Sequence, residues 1–366
     1  MATSRLLLAT LACVVGFSSA GAQPPPDPFR EIDTAFDSLS ARMEGDYRGY
    51  LAETDAAFQA FAREVEGVWG AFDESTQKVW SSYSAGLNGH SQVDFENGEV
   101  RLEVLVEPSS DRQILEDRLA TELTRVLSNN NPSGEVPLAN QIKWKGDRYL
   151  SSGEARTYVR DSLLTKVEPP TVIVGADHVK RLRRAVTIRL ADGHLRHRAE
   201  ICAPIVQRHA SRYALSPALV MAIIHTESAF NPLARSSVPA YGLMQVVPAM
   251  AGADAYRFLD LPGGKPAAED LYRPEHNVLV GTTYLKLLRD VYFGNTQEDE
   301  KNTHLVIAGY NCGPANVERA LRGAGFGLED LAGVSPGSIL RLLESHTPSE
   351  TQAYIGKVYG RMPLYR

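Results

Sequence analysis

The spacing of hydrophobic residues changes near residue 193, and this change divides the chain into two parts. Before it, apolar side chains over 100–106 alternate with mostly polar ones, which is the period of a β-strand. After it the spacing is helical nearly to the end, with breaks at Ser216-Pro217, Pro262-Gly263-Gly264, Asn295, Gly323 and Thr347-Pro348. The sequence therefore predicts an α+β fold, with an N-terminal α+β module over 28–193 and a mostly α-helical domain over 194–366.

Local patterns predict the elements of both parts. Residues 28–70 carry apolar side chains at the spacing of an amphipathic helix or helix pair. Asn97-Gly98 lies between two alternating runs and predicts a β-hairpin. We also expect a helix over 115–127 and strands over 171–174 and 186–190. At the far end, Thr347 is expected to cap the last helix, with Pro348 in its first turn and Glu350 closing a capping box.

The first residues and the overall charge indicate export and exclude one class of partner. Leu6 to Phe17 form an apolar run that is too short to span a bilayer, and Ala20-Gly21-Ala22 has the form of a cleavage site. We therefore expect a signal peptide over 1–22 and a periplasmic protein, with a lipid on Cys13 as the alternative. The 38 Lys+Arg against 44 Asp+Glu give a net charge of -6, which disfavours nucleic acid.

The cysteines predict little chemistry of their own. After removal of the signal peptide only Cys202 and Cys312 remain, which allows either one disulfide bridge or two small buried side chains. No His/Cys cluster has the spacing of metal ligands. We therefore expect no metal and no cofactor.

Glu227 is the candidate catalytic residue. A helix is expected to begin at Ser216-Pro217, and Glu227 lies on its apolar face, four residues after Ile223. Burial disfavours the ionised carboxylate and raises its pKa, as a general acid near neutral pH requires. On periodicity alone a structural ion pair with Arg235 is an equal alternative. His225 points to another face and is expected to be a surface or core histidine.

Four motifs in order resemble the lytic transglycosylase and goose-type lysozyme family. They are Glu227-Ser228, Gly242-Leu243-Met244-Gln245, Tyr310-Asn311 with Gly309 in place of the usual alanine, and Tyr354. The segments Pro239-Ala240-Tyr241 and Asp254-Ala255-Tyr256, together with the N-terminal hairpin, are similar to the membrane-bound members of that family. The resemblance implies a lysozyme-like helical domain with a cleft, a single catalytic carboxylate and peptidoglycan as the partner. It also implies substrate-binding roles for Ser236, Tyr241, Met244, Gln245, Tyr310, Asn311 and Tyr354.

The resemblance further implies a reaction that uses one acid. Glycosidases usually pair two carboxylates, and no second one is evident here, since we expect Asp254 to be a structural cap. The N-acetyl group of muramic acid would attack while Glu227 protonates the leaving oxygen, and a 1,6-anhydro ring would then close without water. The chain is thus expected to cleave the N-acetylmuramic acid–N-acetylglucosamine bond in cell-wall turnover. A hydrolytic muramidase and a catalytically degenerate wall-binding scaffold are the alternatives.

Several properties stay open at this point. The family is usually anchored in the outer membrane, so Cys13 bears on membrane association. The N-terminal module is a candidate site for cell-wall protein partners. Cutting within strands or from their ends, stem-peptide preference and oligomeric state are not predicted by the sequence.

Overall fold

A computed structural model of the chain describes residues 56–294 and 299–366. The expected signal peptide over 1–22, Cys13, the break at Asn295 and most of the amphipathic pattern over 28–70 lie outside the described residues. The end of that pattern is a helix, α1, over 56–69. In the two described ranges no helix is long and apolar enough to cross a membrane.

A five-stranded antiparallel sheet forms the centre of the N-terminal part. Its strands, in spatial order, are β1 Val79–Tyr83, β2 Gly89–Asp94, β3 Glu99–Val106, β5 Lys180–Arg189 and β4 Thr171–Val174. The predicted hairpin is confirmed, because β2 and β3 pair directly and Gly98 takes a positive φ of 72° in the turn. The strand expected over 186–190 begins six residues earlier, at Lys180, and pairs with both β3 and β4.

One long helix covers a face of this sheet. Helix α2 runs over Arg112–Leu127, and the side chain of Asp111 caps it by accepting a hydrogen bond from the Ile114 amide at 2.9 Å. Leu119 and Leu123 are fully buried against Leu102 and Val186 of the sheet. A shorter helical segment follows, with α3 over Ala155–Tyr158 continuing into one π-helical turn over Val159–Leu163.

The second part is helical, as predicted. Its helices are α4 His194–Arg212, α5 Pro217–Ser228, α6 Ala253–Leu259, α7 Ala268–Leu271, α8 Pro274–Leu287, α9 Asp299–Cys312, α10 Pro314–Gly323, α11 Pro336–His346 and α12 Ser349–Arg361. The expected capping box before α12 is wrong. Thr347 ends α11, and its hydroxyl donates back to the carbonyl of Leu343 instead of capping α12. Glu350 is thereby left exposed in the first turn of α12.

Two large hydrophobic cores lie largely on either side of residue 193. One is built mainly by the sheet with α2, and the other by the helices from α4 to α12. A small third cluster packs Val65 and Trp69 of α1 against Leu87 and Leu105. The α+β prediction is therefore confirmed. The boundary near 193 remains a prediction, and it is consistent with the two cores and with the left-handed backbone of Gly193, φ 79°, just before α4. All described residues nevertheless belong to one compact unit.

Candidate active site

Helix α5 places Glu227 at its penultimate position. Ser216 caps the helix, Pro217 occupies its first turn, and the helix ends where Ala229 and Phe230 take positive φ values of 50° and 61°. From Ala218 to Ser228 every residue is buried, since this helix is apolar on nearly all sides and crosses the core of the domain. The carboxyl group of Glu227 is therefore carried into the interior at the end of a rigid element.

Burial changes the acidity of Glu227. Its side chain is only 7% exposed, and burial raises the pKa of the carboxyl group to about 7, with the charge of Glu350 acting in the same direction. The Tyr354 hydroxyl opposes this rise in pKa. Within the described ranges Glu227 makes no ion pair, and Arg235 instead lies over the ring of Phe58 at 4.6 Å. The structure thus shows a protonatable acid, not the structural pair with Arg235.

Two tyrosines accompany the acid. The hydroxyl of Tyr310 donates to the carbonyl oxygen of Met244 at 2.8 Å. Tyr354 is 6% exposed, and its hydroxyl forms no well-aligned hydrogen bond among the described residues, but it lies close enough to Glu227 to lower the pKa of that carboxyl group. Burial, together with the charge of Glu227, raises the pKa of both phenols well above 10. Both tyrosines are therefore neutral hydrogen-bond donors at any pH at which Glu227 can titrate.

The Gly-Leu-Met-Gln segment is held from outside by a buried asparagine. Asn277 of α8 donates to the carbonyl oxygens of Tyr241 and Leu271 at 2.8 Å each and accepts from the Met244 amide at 2.8 Å. Gly242 is required here because its φ is 72° and a Cβ would lie 2.2 Å from the Leu271 oxygen. The segment ends with Gln245, whose amide nitrogen donates to the carbonyls of Ala234 and Gly242, while Oε1 has no partner in the described part of the chain.

A cavity of about 460 Å³ opens beside Glu227. Five of the expected site residues share its wall: Glu227, Ser236, Gln245, Tyr310 and Asn311. The rest of the wall is formed by Gln77, Ser237, Val238, Ala240, Val247, Met250, Ala251, Tyr284, Cys312, Gly313 and Glu350. The cavity therefore combines one buried acid with amides, hydroxyls and aromatic rings, the groups that bind sugars.

The other three expected residues lie behind the wall. Met244 is fully buried, and its sulfur packs where Gly281 has no side chain, since a Cβ at that glycine would lie 2.4 Å from Sδ. Tyr241 is buried edge-on against Tyr272, with ring centroids 5.6 Å apart. Tyr354 approaches Glu227 from α12. In this structure these side chains support the cavity wall, and their expected contacts with sugar remain predictions.

Smaller interactions orient the polar groups of the wall. The hydroxyl of Ser236 donates to the carbonyl of Val238, and the side-chain oxygen of Asn311 accepts from the Thr351 hydroxyl at 2.7 Å. The Asn311 amide nitrogen is thereby fixed as the group that can donate to a ligand.

Sequence reasoning did not place most of the remaining wall, including Gln77 and Glu350, nor the asparagine behind it. Gln77 comes from the N-terminal part, just before β1, and nothing in its local pattern links it to residues 150 positions further on. Glu350 was assigned to a capping box, yet it lines the same cavity as Glu227. A second carboxylate thus lines the cavity, and the expectation that Glu227 is the only catalytic carboxylate stays a prediction. Asn277 had no motif signal.

Asp254 is structural, as expected, but it is not a helix cap. It lies in the first turn of α6, which continues from a π-helical turn over Pro248–Gly252. Its carboxylate accepts from the Tyr292 hydroxyl at 2.9 Å and from Arg257 at 3.2 Å. Asp254 thus ties α6 to the segment after α8 and does not line the cavity.

His225 is a satisfied core histidine. Its ring is 8% exposed, and Nδ1 is hydrogen-bonded to the Tyr365 hydroxyl at 2.8 Å. Burial lowers its pKa to about 4, so the ring is neutral near pH 7. It takes no part in the cavity wall.

The two cysteines are free. Cys202 is buried in α4, and burial raises the pKa of its thiol to about 12. Cys312 is half-buried and lines the cavity. No disulfide joins them in this structure, so the alternative of two small packed side chains is the one observed.

Three residues of the sheet region are spaced to bind a metal ion. His90 Nδ1 lies 3.0 Å from a Glu103 oxygen and 4.0 Å from an Asp73 oxygen. Arg101 and Arg183 also face Glu103, at 3.0 and 3.9 Å, and already compensate its charge. Within the described ranges this is the group that meets the spacing, and the expected absence of a metal stays a prediction.

Comparison with known proteins identifies a family model and relatives that match part of the chain. Residues 204–331 match the family model described as the transglycosylase SLT domain. Membrane-bound lytic murein transglycosylase C from Yersinia pestis (strain Pestoides F) is 37% identical over 185 residues, which are 50% of this chain and 51% of that protein. The protein of the same name from Yersinia pseudotuberculosis serotype O:1b (strain IP 31758) matches to the same extent. The chain thus spans about half the length of the curated relatives it matches.

A solved structure is also similar in part. The 70-kDa soluble lytic transglycosylase from Escherichia coli shares 29% identity over 44% of this chain and 24% of its own, with a TM-score of 0.36. The sequence similarities to the Yersinia proteins and to the SLT family model confirm the resemblance that the four motifs indicated.

Proposed function

We propose that this chain is a peptidoglycan lytic transglycosylase in which Glu227 serves as both acid and base. The observation that carries the proposal is a buried carboxyl group, with its pKa raised to about 7, in the wall of a cavity lined by amides, hydroxyls and tyrosines. The match of residues 204–331 to the transglycosylase SLT domain supports the same activity. The bond cleaved is the β-1,4 link between N-acetylmuramic acid and N-acetylglucosamine, and the helical half over 194–366 is the catalytic domain.

In the first step Glu227 gives its proton to the glycosidic oxygen. A pKa near 7 keeps a large part of the carboxyl group protonated at neutral pH, so the acid is available without an external proton source. The anomeric carbon is attacked by the muramic acid's own N-acetyl oxygen. Ser236 and Asn311 line the cavity and can hydrogen-bond this acetamido group. The leaving N-acetylglucosamine departs with the proton.

In the second step the ionised Glu227 accepts a proton from the C6 hydroxyl of the muramic acid. The C6 oxygen attacks the anomeric carbon and expels the acetamido oxygen, which closes a 1,6-anhydro ring. The neutral Tyr354 hydroxyl stabilises the ionised carboxylate as a hydrogen-bond donor, and it has no other partner among the described residues. Atoms balance without water, because one hydroxyl of the substrate replaces the departing sugar.

Glu350 gives a specific reason to keep hydrolysis as a second candidate. It is exposed on the first turn of α12 and lines the same cavity as Glu227. A hydrolytic glycosidase usually has two carboxylates that flank the scissile bond, and one of them can activate water. A muramidase would then release reducing muramic acid ends.

The relatives support a location at the cell envelope. Because the similar Yersinia proteins are named membrane-bound, we propose that this chain acts at the cell envelope, in the periplasm. Outer-membrane association through a lipid on Cys13 is the alternative to cleavage after Ala22, since that cleavage would remove Cys13. The substrate partner of the chain is the glycan strand of peptidoglycan, in wall turnover or remodelling. The module over 28–193 contributes Gln77 to the cavity wall and is a candidate site for cell-wall protein partners.

Digestion of purified sacculi tests the proposal. We expect the wild-type chain to release muropeptides that end in 1,6-anhydromuramic acid, as read by mass spectrometry. Glu227→Gln should lower release by about 10²-fold or more, since it removes the proton donor. Glu344→Gln, an exposed glutamate on α11, is the matched control and should release as much as wild type.

The same digest separates the alternatives. Reducing muramic acid ends that disappear in Glu350→Gln would replace the transglycosylase with a muramidase. A wild-type chain that releases nothing but sediments with sacculi would indicate a wall-binding scaffold.

A further inference from the structure

The C-terminal turn of α5, which carries Glu227, is held by two arginines from outside the helix. Arg361 at the end of α12 donates from one nitrogen to the backbone carbonyl of His225 at 3.1 Å. Arg198 on α4 donates from Nε to the carbonyl of Ala229 at 3.4 Å. The two carbonyls flank Glu227, two residues before it and two residues after it. We call Arg198 and Arg361 the arginine clamp.

The other ends of both guanidinium groups reach one short segment of the N-terminal part. This segment, the hairpin turn Phe95-Glu96, connects β2 to β3. Arg361 donates to the carboxylate of Glu96 at 2.8 Å, and Arg198 donates to the carbonyl of Phe95. Lys78 at the start of β1 also donates to Glu96. Two neighbouring residues of the hairpin are thus bridged to both ends of the catalytic turn.

Arg198 has an unusual environment for a simple packing residue. It is 3% exposed, and its partners are neutral oxygens: the Phe95 and Ala229 carbonyls and the side chain of Gln141 at 2.5 Å. Burial lowers its pKa to about 10, so the group is still charged near pH 7. A buried charge costs free energy unless its donors are hydrogen-bonded. Here the Arg198 donors bind three oxygens and so hold two backbone carbonyls and one side chain in place.

The clamp acts on a part of the helix that needs fixing. The last carbonyls of a helix carry the negative end of the helix dipole. The His225 carbonyl accepts from the Ala229 amide at 3.1 Å as well as from Arg361, so the arginine adds a charged donor at this end. After Ser228 the backbone turns through two consecutive residues of positive φ, Ala229 and Phe230. Residues other than glycine adopt this conformation at a cost in free energy. Small shifts in this turn would move the Glu227 carboxyl relative to the glycosidic oxygen, and misplacement by about 1 Å can cost about 10²-fold in rate.

We infer that Arg198 and Arg361 are positioning residues through which the hairpin turn of the N-terminal module sets the place of Glu227 in the cavity. The inference rests on the proposed function, because it assigns Glu227 the proton transfer. It gives the N-terminal module a defined part in the reaction, and this part does not depend on contact between the module and the substrate. Neither arginine lines the cavity, so neither is itself a catalytic residue.

The test changes Glu96 and Arg361, which are partly exposed, and leaves the buried Arg198 in place. Glu96→Ala removes the anion that holds Arg361, and Arg361→Gln removes the bridge itself. The same hairpin supplies matched controls, because Glu99 faces Arg189 at 4.0 Å on the exposed surface of the sheet. Glu99→Ala and Arg189→Gln therefore remove the same residue types without touching α5.

Two measurements are made on the full chain. Amide hydrogen exchange followed by mass spectrometry reports on residues 225–231, and initial rates with solubilised glycan strands give kcat and KM. We expect Glu96→Ala and Arg361→Gln each to speed exchange over 225–231 and to lower kcat about 10-fold with KM changed less than about twofold. The double variant should lower kcat no further than Arg361→Gln alone, because the arginine variant already breaks the connection from Glu96 to His225. The controls should behave as wild type.

The outcomes separate this inference from the proposed function. If wild type is active and exchange over 225–231 is unchanged in both clamp variants, the positioning role is overturned. A fall in kcat that is equal in the controls, or a double variant with the two effects added, would also overturn it. If wild type releases no glycan, the proposed function fails, and the exchange measurement still decides whether the hairpin holds the turn. Circular dichroism at the assay temperature verifies that each variant is folded.

Discussion

Glu227 is the residue where stability and chemistry oppose each other. An ionised carboxylate in this place has no cation beside it among the described residues, so the folded protein holds the proton up to a pKa of about 7. The sequence predicted this acid from its position on an apolar helix face and from the motifs around it. Periodicity alone could not separate it from an ion pair, because the decisive fact is that Arg235 turns to Phe58 instead.

The pH dependence of stability follows from that shift. The pKa of Glu227 is raised from 4.5 in the unfolded chain to about 7 in the fold, so its proton stabilises the fold below pH 4.5 and this contribution is lost as pH rises to about 7. At pH 8 we expect Glu227→Gln to unfold at a higher urea concentration than wild type, with a free energy of unfolding larger by on the order of 2 to 3 kcal/mol. At pH 4.5 the two proteins should unfold at nearly the same urea concentration. A stability difference that does not change with pH would contradict this.

A second prediction concerns Tyr354. Its hydroxyl lowers the pKa of Glu227, so Tyr354→Phe should raise that pKa further. The first step needs the protonated acid, and kcat/KM therefore falls above pH 7 in wild type but should persist to higher pH in the variant. The measurement is the alkaline limb of the pH–rate profile with soluble glycan strands. Tyr359 lies on the same helix, and its hydroxyl is hydrogen-bonded to His304 instead. Tyr359→Phe therefore serves as the control, and the alkaline limb of its pH–rate profile should coincide with that of wild type.

At the scale of elements, the site is the meeting of one helix end with one loop. Helix α5 was predicted from its start signal and its apolar residues, and the loop after it from its motif. The sequence did not indicate that Asn277 of α8 holds the loop after α5 by hydrogen bonds, a connection that we call the Asn277 latch. Asn277 lies in the first turn of α8, and its role depends on three hydrogen bonds, two of them to residues more than 30 positions away in the chain.

This latch gives a stability prediction. Asn277→Ala leaves the buried Met244 amide and the carbonyls of Tyr241 and Leu271 without their partner, and each unmet buried group costs about 1 to 3 kcal/mol. We expect a total loss of about 3 kcal/mol or more in urea unfolding. Asn302→Ala, a partly buried helical asparagine at the other side of the domain, is the comparison and should lose less. Equal losses would mean that the loop does not depend on Asn277.

At the scale of the molecule, the two halves act as one body. The sequence predicted the type of secondary structure in both halves, since local periodicity records it, and the division near residue 193 stays a prediction. It did not predict that Gln77 reaches the cavity or that the hairpin turn meets α5, because contacts between residues far apart leave no local pattern. Glu350 was missed for a related reason: its helix start resembled a capping box, and only the packing of α12 places it beside the cavity.

The clamp and the shared cavity predict cooperative unfolding. All three tryptophans, Trp69, Trp80 and Trp144, belong to the N-terminal half, whereas most of the helix lies in the other half. Tryptophan fluorescence and far-ultraviolet circular dichroism should therefore report the same urea midpoint, as a single unit requires. A fluorescence transition at clearly lower urea would indicate that the sheet region unfolds on its own.

The proposed chemistry is tested most directly by digesting sacculi in water enriched in oxygen-18. Ring closure by the C6 hydroxyl uses no water, whereas hydrolysis adds a water oxygen to the new muramic acid end. We expect the muropeptides released by wild type to be one water lighter than reducing ends and to carry no label, with release lowered about 10²-fold or more in Glu227→Gln. Labelled reducing ends that depend on Glu227 would show that this cavity carries out hydrolysis and would contradict the transglycosylase assignment.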